Sequence, residues 1–464
     1  MNLPASPALA CAVLLVLAAA TGSRSSLAAA LTDAPQSGPQ SSRNGQSPAA
    51  AGADTAPQGP PASAAQPLTA PHAAGLARFF DPATAPFIPI PEIDEDPYSG
   101  TTLGLIPTVL VTNDADEIHQ IIAPDVIHNQ YFGWGARARF FDYLSDNTQW
   151  SVVGGGKQRV ESEFDGEYNA GLLREDPWSF TESAIYDRNG SPHFYGIGNF
   201  TTLRGQTNYT DQQKYLQTTI GRNLSHIWQL GYTNRTRNVY ISPGQISGIP
   251  SIQVLYPTTV LRAQKREVLN RIYITRDTRN DTIVPTTGGA WASYVGAASG
   301  TGIVNGDLYS EVGLDGREFW QLGNGVLAMH VDLRYEPRTA RTHDIPFWAL
   351  SAIGGDESTL GGDQPLRGYG EDRFVDRNAF STSVEYRQRI ATINAVGTRI
   401  RLELTPFADA GRVFSAAGTD FLSHLHPVSG IGLRGIAAPF VVGYLDVGYG
   451  SEGFAIFTGL NYPF

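Results

Sequence analysis

The chain has 464 residues, a formal net charge of −11 and one cysteine, Cys11. A single cysteine excludes disulfides within the chain and zinc sites built from cysteines, and the negative charge argues against nucleic acid as a partner. The sequence is rich in glycine and aromatic residues and poor in methionine. Together with short alternating segments, this composition is typical of a transmembrane β-barrel.

The N-terminus has the features of an export signal. Residues 8–20 form an apolar run, and small residues at 26–30 suit cleavage by a signal peptidase. Cys11 lies within this run and does not end it, which favours an ordinary signal peptide over a lipid-anchored one. We therefore predict a signal peptide at residues 1–28.

Two further segments precede the predicted barrel. Residues 29–78 consist mainly of Ala, Pro, Ser, Gln and Gly with no apolar period, which predicts a disordered linker. Residues 79–101 mix prolines, apolar residues and acids, and we predict an extended pre-barrel segment that is too short to be a domain. After residue 20 no apolar run approaches the roughly 20 residues of a membrane helix.

The region 102–464 is predicted to be an all-β, antiparallel transmembrane barrel of about sixteen strands. Its amphipathic segments are similar in length to a tilted membrane strand, which requires about 9 to 11 residues. An even number of strands allows an antiparallel sheet to close at a seam between its first and last strands. The predicted strands are 102–112, 132–143, 148–159, 164–174, 178–187, 209–222, 226–239, 266–277, 288–298, 308–320, 325–336, 379–390, 399–411, 427–437, 440–450 and 453–464.

The last segment indicates which face meets lipid. Phe454, Ile456 and every second residue after them are predicted to face outward, and this set ends with Tyr462 and Phe464 at the membrane boundary. In the segment 325–336 the same alternation turns the charged residues inward, because an arginine at mid-bilayer costs about 2 to 4 kcal/mol.

The longest connection between predicted strands, between Glu336 and Ala379, contains Arg367. The two strands that follow carry Glu385 and Asp409 on their polar faces. If the connection folds inward, Arg367 can reach both carboxylates through charge-assisted hydrogen bonds. The alternative is a surface turn with solvated charges.

Several motifs resemble one family. The sequences Leu-Arg-Gly-Tyr at 366–369, Val-Glu-Tyr-Arg at 384–387 and Phe-Ala-Asp-Ala-Gly at 407–411, together with the terminal Phe464, are similar in order and spacing to the BamA/TamA/FhaC-like superfamily of outer-membrane barrels. The stretches 194–199, 275–280 and 285–288 are also similar to that family. The resemblance extends over about residues 91–464.

The resemblance implies roles for particular residues. It implies that Arg367, with Gly368 and Tyr369, is held inside the lumen by Glu385 and Asp409 in a structural role. It also implies that Tyr462 and Phe464 form the recognition tag of an outer-membrane barrel. The remaining motif residues of the strands are Phe407, Gly411, Asp277, Arg279, Asn280 and Gly288.

The resemblance further implies a place in outer-membrane biogenesis. Members insert proteins or lipids through a seam that opens sideways, so the implied partners are the outer-membrane bilayer, unfolded outer-membrane proteins and periplasmic accessory factors. Residues 29–101 show no pattern of the periplasmic POTRA module, and we expect none. A passive or loop-plugged pore and a structural surface-antigen barrel are the alternatives.

The sequence predicts no catalytic residue, metal site or cofactor. His330 and Asp332 share an inward face with Glu336, but no serine elbow accompanies them. His424 and His426 have no third ligand of suitable spacing. We therefore predict that the protein is not an enzyme.

Overall fold

The computed structural model describes residues 88–112, 118–145, 147–171, 174–263, 265–300, 308–337, 345–356, 365–395, 398–416, 422–437, 441–460 and 462–464. The predicted signal peptide, the predicted linker and the first part of the pre-barrel segment lie outside these ranges. Among the described residues, no helix has the length and apolar character needed to cross a bilayer.

The described part of the chain is almost entirely β-structure. Its strands are β1 (Ile88–Asp94), β2 (Thr102–Thr112), β3 (Ile118–Ile122), β4 (Asp125–Asn129), β5 (Gly133–Ser145), β6 (Thr148–Lys157), β7 (Ser162–Ala170), β8 (Trp178–Asn189), β9 (His193–Phe194), β10 (Thr207–Asn223), β11 (Trp228–Pro243), β12 (Arg266–Asp277), β13 (Gly288–Ser299), β14 (Tyr309–Leu322), β15 (Gly325–Tyr335), β16 (Ser351–Ile353), β17 (Phe374–Asp376), β18 (Asn378–Ala395), β19 (Thr398–Phe414), β20 (His426–Ala437), β21 (Val441–Gly450) and β22 (Gly453–Leu460). Two short helices, α1 (Ile252–Leu255) and α2 (Pro257–Ala263), interrupt them.

The strands form a β-barrel in which sequence neighbours pair antiparallel. β3 and β4 share the position between β2 and β5, and β9 adds to the end of β10. Within the described residues β16 and β17 form a separate two-stranded sheet, and β15 pairs with β18, which is the next strand of the wall. The predicted antiparallel β-barrel is confirmed.

Two positions in the barrel wall were absent from the sequence prediction, as were the short strands β9, β16 and β17. β1 lies in the supposed pre-barrel segment, where Pro89 and Pro91 argue against a strand because proline cannot donate to a ladder. β3 and β4 are separated by a break at Ala123 and Pro124 that hides their alternation. Consequently β2 is flanked on both sides, and the seam lies between β1 and β22 instead of between β2 and β22.

The Thr458 hydroxyl makes two hydrogen bonds across this seam. The backbone N–H of Glu95 donates to Thr458 Oγ1 at 3.0 Å, and the Thr458 hydroxyl donates to Asp94 Oδ1 at 3.3 Å. β1 therefore lies beside β22.

Alternation sets the two faces of the wall. In β22 Phe454 is 77% exposed and Ile456 42%, whereas Phe457 is 2% exposed and points into the lumen. In β15 His330, Asp332 and other polar residues are buried inside, and their neighbours are half-exposed. A slip by one residue would place these charges in lipid, so the register is firmly set.

The prediction that Tyr462 and Phe464 face lipid is wrong. β22 ends at Leu460, so the last residues leave the strand alternation and turn inward. The Tyr462 hydroxyl donates to Glu403 Oε2 at 2.8 Å, and the Phe464 ring stacks on His330 with ring centres 5.2 Å apart. Their role as a recognition tag stays a prediction.

A hairpin made by β16 and β17 fills part of the lumen. It continues inward to a bridge between Gly355 and Leu366. Its apolar side chains pack on the inner face of β18, β19 and β20 in one buried cluster: Ile353, Leu366, Tyr369, Phe374, Ala379, Phe407, Val413 and Val428. This packing positions the arginine described next.

Candidate functional site

A tight turn in the hairpin points Arg367 at the barrel wall. The backbone N–H of Tyr369 donates to Leu366 O at 3.1 Å, which closes the turn. Gly355 holds both sides of it, since its N–H donates to Tyr369 O at 3.0 Å and its carbonyl accepts from Leu366 N at 2.9 Å. The turn leaves the Arg367 side chain fully buried.

Arg367 contacts three carboxylates. It binds Asp409 in a bidentate manner, with Nε to Oδ2 at 3.0 Å and Nη2 to Oδ1 at 2.8 Å, and its backbone N–H donates to the same residue at 3.1 Å. Its Nη1 donates to Glu385 Oε2 at 2.9 Å and to Asp446 Oδ2 at 3.1 Å. The guanidinium also lies over the Phe407 ring, 3.7 Å from its centre.

Two more arginines balance the charge of these acids. Arg387 Nε donates to Glu385 Oε1 at 2.6 Å, and Arg434 donates to both oxygens of Asp446. The cluster, called here the Arg367 network, therefore contains three arginines and three carboxylates: Arg367, Arg387, Arg434, Glu385, Asp409 and Asp446. All six are at most 3% exposed, and buried charges of this kind are tolerated only when they are paired and hydrogen-bonded.

The charge state of Arg367 is secured by its partners. Burial by itself lowers the pKa of Arg367, but the attraction of Asp409, Asp446 and Glu385 outweighs burial and raises the pKa above its usual value. The arginine is therefore charged throughout the pH range in which the barrel is folded.

Glycines let the turn lie flat against the wall. A Cβ on Gly448 would lie 1.8 Å from the Arg367 carbonyl oxygen, and one on Gly450 would lie 2.8 Å from the Tyr369 ring. A Cβ on Gly370 would meet the Tyr98 ring at 2.3 Å. A larger residue at any of these positions would displace the atoms that it meets, so both the turn and the wall favour glycine.

Tyr369 and Gly411 secure the same hairpin. The Tyr369 hydroxyl accepts from the Ser451 N–H at 3.0 Å, which ties the turn to the connection between β21 and β22. Gly411 leaves space for Ile353, whose Cδ1 would lie 3.2 Å from an added Cβ. Both motif residues therefore serve hairpin packing.

A second arginine clamps the hairpin nearer its base. Arg373 pairs with Glu452, with Nε to Oε2 at 2.8 Å, and its Nη2 donates to Thr201 O at 3.0 Å. Its guanidinium lies 4.0 Å from the centre of the Tyr195 ring. In the same stretch 194–199, the Gly198 N–H donates to Val375 O at 2.7 Å. This motif therefore holds the hairpin from the opposite side.

The upstream motif residues lie elsewhere. Asp277, the last residue of β12, pairs with Arg279 at 2.7 Å, and Asn280 Oδ1 accepts two backbone N–H groups at 2.9 Å in the connection to β13. Gly288 has a φ of +84°, and a Cβ there would meet Thr278 O at 2.0 Å. These four residues shape a turn and do not join the Arg367 network.

Of the site residues, sequence reasoning named Arg367, Glu385 and Asp409, which the structure brings together, but it missed Asp446, Arg387 and Arg434. Asp446 and Arg434 are isolated polar residues in apolar, glycine-rich strands. Their signal was present, because both fall on the inward face of their strand, and a charge there requires a buried partner.

Comparison with known proteins identifies the family. The Omp85 superfamily domain matches residues 173–434, more than half of the chain. The chain belongs to the Omp85 superfamily. This confirms the predicted relationship to the BamA-type superfamily of outer-membrane barrels.

A solved structure shows the same fold at low identity. The crystal structure of BamA from Haemophilus ducreyi lacking POTRA domains 1–3 is 13% identical, covers 77% of this chain and 75% of its own, and has a TM-score of 0.50. CdiB from Acinetobacter baumannii is 11% identical over 80% of this chain and 58% of its own, with a TM-score of 0.39. No curated protein matches the sequence.

Proposed function

We propose that this Omp85 barrel inserts proteins or lipids into the outer membrane through an opening between β1 and β22. The observation that carries the proposal is the construction of the seam. Neighbouring strands elsewhere in the barrel wall share backbone ladders, whereas within the described residues no ladder joins β1 to β22.

Opening the seam costs little free energy. Two hydrogen bonds of the Thr458 hydroxyl cross it, and each contributes about 1 kcal/mol. Pro89 and Pro91 remove two backbone donors from β1. An opened seam exposes strand edges, and an incoming strand can pair with such an edge by β-augmentation.

A loop-plugged pore is the second candidate, because the hairpin stands in the lumen. Passage through the lumen would require the hairpin to leave and the Arg367 network to break, at a cost of several ion pairs. Lateral opening leaves the network intact, so the structure supports insertion better than conduction.

Photo-crosslinking in intact outer membranes tests the proposal. Probes replace Ile93 in β1 and Ile456 in β22, and a matched control replaces Ile272, an outward-facing residue of β12 that is 53% exposed. Unfolded barrel precursors or periplasmic accessory factors captured at the seam but not at the control support insertion. Crosslinks to lipid alone at all three positions contradict it and favour the pore or a surface-antigen barrel.

A reversible staple tests whether the seam must open. Glu95 and Thr458 are in direct contact, with Glu95 N 3.0 Å from Thr458 Oγ1, so the double variant Glu95→Cys, Thr458→Cys places two thiols at the seam to be joined by oxidation. Cys11 is the only native cysteine, so no other thiol competes in the barrel. We expect assembly of other barrels to stop when the staple is oxidised and to recover on reduction. Equal assembly in the oxidised and reduced states would exclude lateral opening. If Arg367→Gln increases ion conductance while the seam is held closed by the disulfide, the barrel acts as a pore.

A further inference from the structure

A second polar cluster lies in the lumen beside the hairpin. Asp315 of β14 and His330 and Asp332 of β15 are buried, and their ligand atoms lie within 4.8 Å of one another. None of these residues takes part in the Arg367 network. The seam does not involve them either.

The two carboxylates in this cluster oppose each other. Asp315 and Asp332 are direct partners in the ladder between β14 and β15, and like charges placed directly opposite are destabilising. Arg317 offsets one of them, since its Nη2 donates to Asp315 Oδ1 at 3.1 Å. The remaining negative charge calls for a cation or a proton.

Polar atoms around the cluster are buried without hydrogen-bond partners. Within the described residues, Asp332 Oδ2, Ser381 Oγ and Ser383 Oγ have none, and the three residues are at most 1% exposed. Ser381 is the ladder partner of Asp332, and Ser383 is that of His330. Each such atom costs about 1 to 3 kcal/mol when left unsatisfied, so together they indicate a missing polar ligand.

We propose that this cluster binds a divalent transition metal, Zn²⁺ or Mn²⁺, through Asp315, His330 and Asp332. His330 Nε2 and Asp315 Oδ2 are 2.9 Å apart, and adjacent ligands of an octahedral metal with bonds of about 2.1 Å lie roughly 2.9 Å apart. A bound metal takes the place of this hydrogen bond, and the neutral His330 that binds it through Nε2 carries its ring proton on Nδ1. One imidazole with two carboxylates suits such metals better than Mg²⁺ or Ca²⁺.

The surroundings suit a fixed metal. The Phe464 ring lies over the His330 ring at an angle of 19°, which covers the imidazole and fixes its plane. The hydroxyls of Ser381 and Ser383 lie on the same face of the neighbouring strand and supply further oxygen donors. A bound metal would join β14, β15 and β18.

Metal binding by the intact protein, refolded in detergent micelles, tests the site. Equilibrium dialysis against Zn²⁺ or Mn²⁺, followed by elemental mass spectrometry, is expected to give one ion per chain. Asp332→Asn is expected to weaken binding by about tenfold or more, whereas Asp211→Asn, which changes another buried lumen carboxylate in β10, leaves it unchanged.

Measurements on the unaltered protein keep the test decisive if a variant fails to fold. Zn²⁺ or Mn²⁺ is expected to raise the unfolding temperature of the native chain, because binding stabilises the folded state, and Mg²⁺ is not. A native chain that retains neither Zn²⁺ nor Mn²⁺ overturns the proposal. The migration of unheated and heated samples on a gel shows whether the variants Asp332→Asn and His330→Gln are folded. The proposal is also overturned if these folded variants bind the metal as tightly as the native chain.

Discussion

Around Arg367, six buried charged side chains tie a hairpin to β18, β19, β20 and β21, whereas β1 and β22 are joined by the hydroxyl of Thr458. Both regions belong to one barrel, yet they differ in how many interactions must break before they separate. The difference indicates where the wall can yield: the network resists movement of the hairpin, and the seam opens at small cost.

Removing the arginine should cause the largest loss of stability. Arg367→Ala leaves Glu385, Asp409 and Asp446 with two arginines, and we expect unfolding to become easier by about 3 to 5 kcal/mol, with lumen water lowering the effect. Denaturant unfolding in micelles measures it. Arg276→Ala, which removes a side chain 39% exposed on β12, serves as control.

Arg367→Lys refines this test. Lysine keeps the charge but cannot form the bidentate contact with Asp409, so we expect an intermediate loss. A value equal to that of the native protein would mean that charge alone matters and that the paired geometry does not.

Adding one methyl group to the wall should cost less. Gly448→Ala places a Cβ 1.8 Å from the Arg367 carbonyl, and overpacking of this kind costs about 3 kcal/mol. Gly154→Ala in β6 is the matched control, because its nearest atom would lie 3.9 Å away. Equal stability of the two variants would show that the turn does not rest on Gly448.

A pH effect should appear at Glu336, just beyond the end of β15. Burial raises the pKa of Glu336 to about 8 although Arg334 Nη2 lies 3.3 Å away. An unfolded glutamate titrates near 4.5, so the folded chain binds the extra proton between these values, and the free energy of unfolding falls as the pH rises from about 4.5 to about 8.

The variant Glu336→Gln should remove this dependence of the free energy of unfolding on pH. This pH dependence is tested by measuring the unfolding midpoint at about one-unit intervals from about pH 5 to about pH 9. Glu318→Gln, a partly exposed carboxylate of β14, should keep the native slope. A Glu336→Gln curve parallel to the native one contradicts the assignment.

The smallest effect is expected at the seam itself. Thr458→Val removes the hydroxyl but keeps the side-chain shape, and a loss of about 1 kcal/mol follows. Thr458→Ser retains the hydroxyl and should behave as the native chain does. If Thr458→Val were as damaging as Arg367→Ala, the seam would be as firmly held as the network, and the contrast between the two regions would disappear.

The sequence predicted much of the barrel because alternation is a strong signal wherever one face meets lipid and the other does not. The prediction missed β1, because its prolines argue against a strand. It also missed β3 and β4, because the break between them interrupts the alternation of apolar and polar residues. It named Arg367, Glu385 and Asp409 because the motif carries them. Asp446 was missed because a lone acid in an apolar strand does not reveal its partner until the sheet curves round to it. The sequence pattern also did not show where strands end. The inward turn of Tyr462 and Phe464 follows from the end of β22 at Leu460.

The partners of Arg367 also set an order of events during folding. Glu385, Asp409 and Asp446 follow it by 18, 42 and 79 residues. Contacts between distant parts of a chain form late, because the loop between them must close first. The third acid arrives with β21, the penultimate strand, so a barrel halted before that strand holds its hairpin only in part. Full engagement of Arg367 therefore marks a wall that is nearly complete.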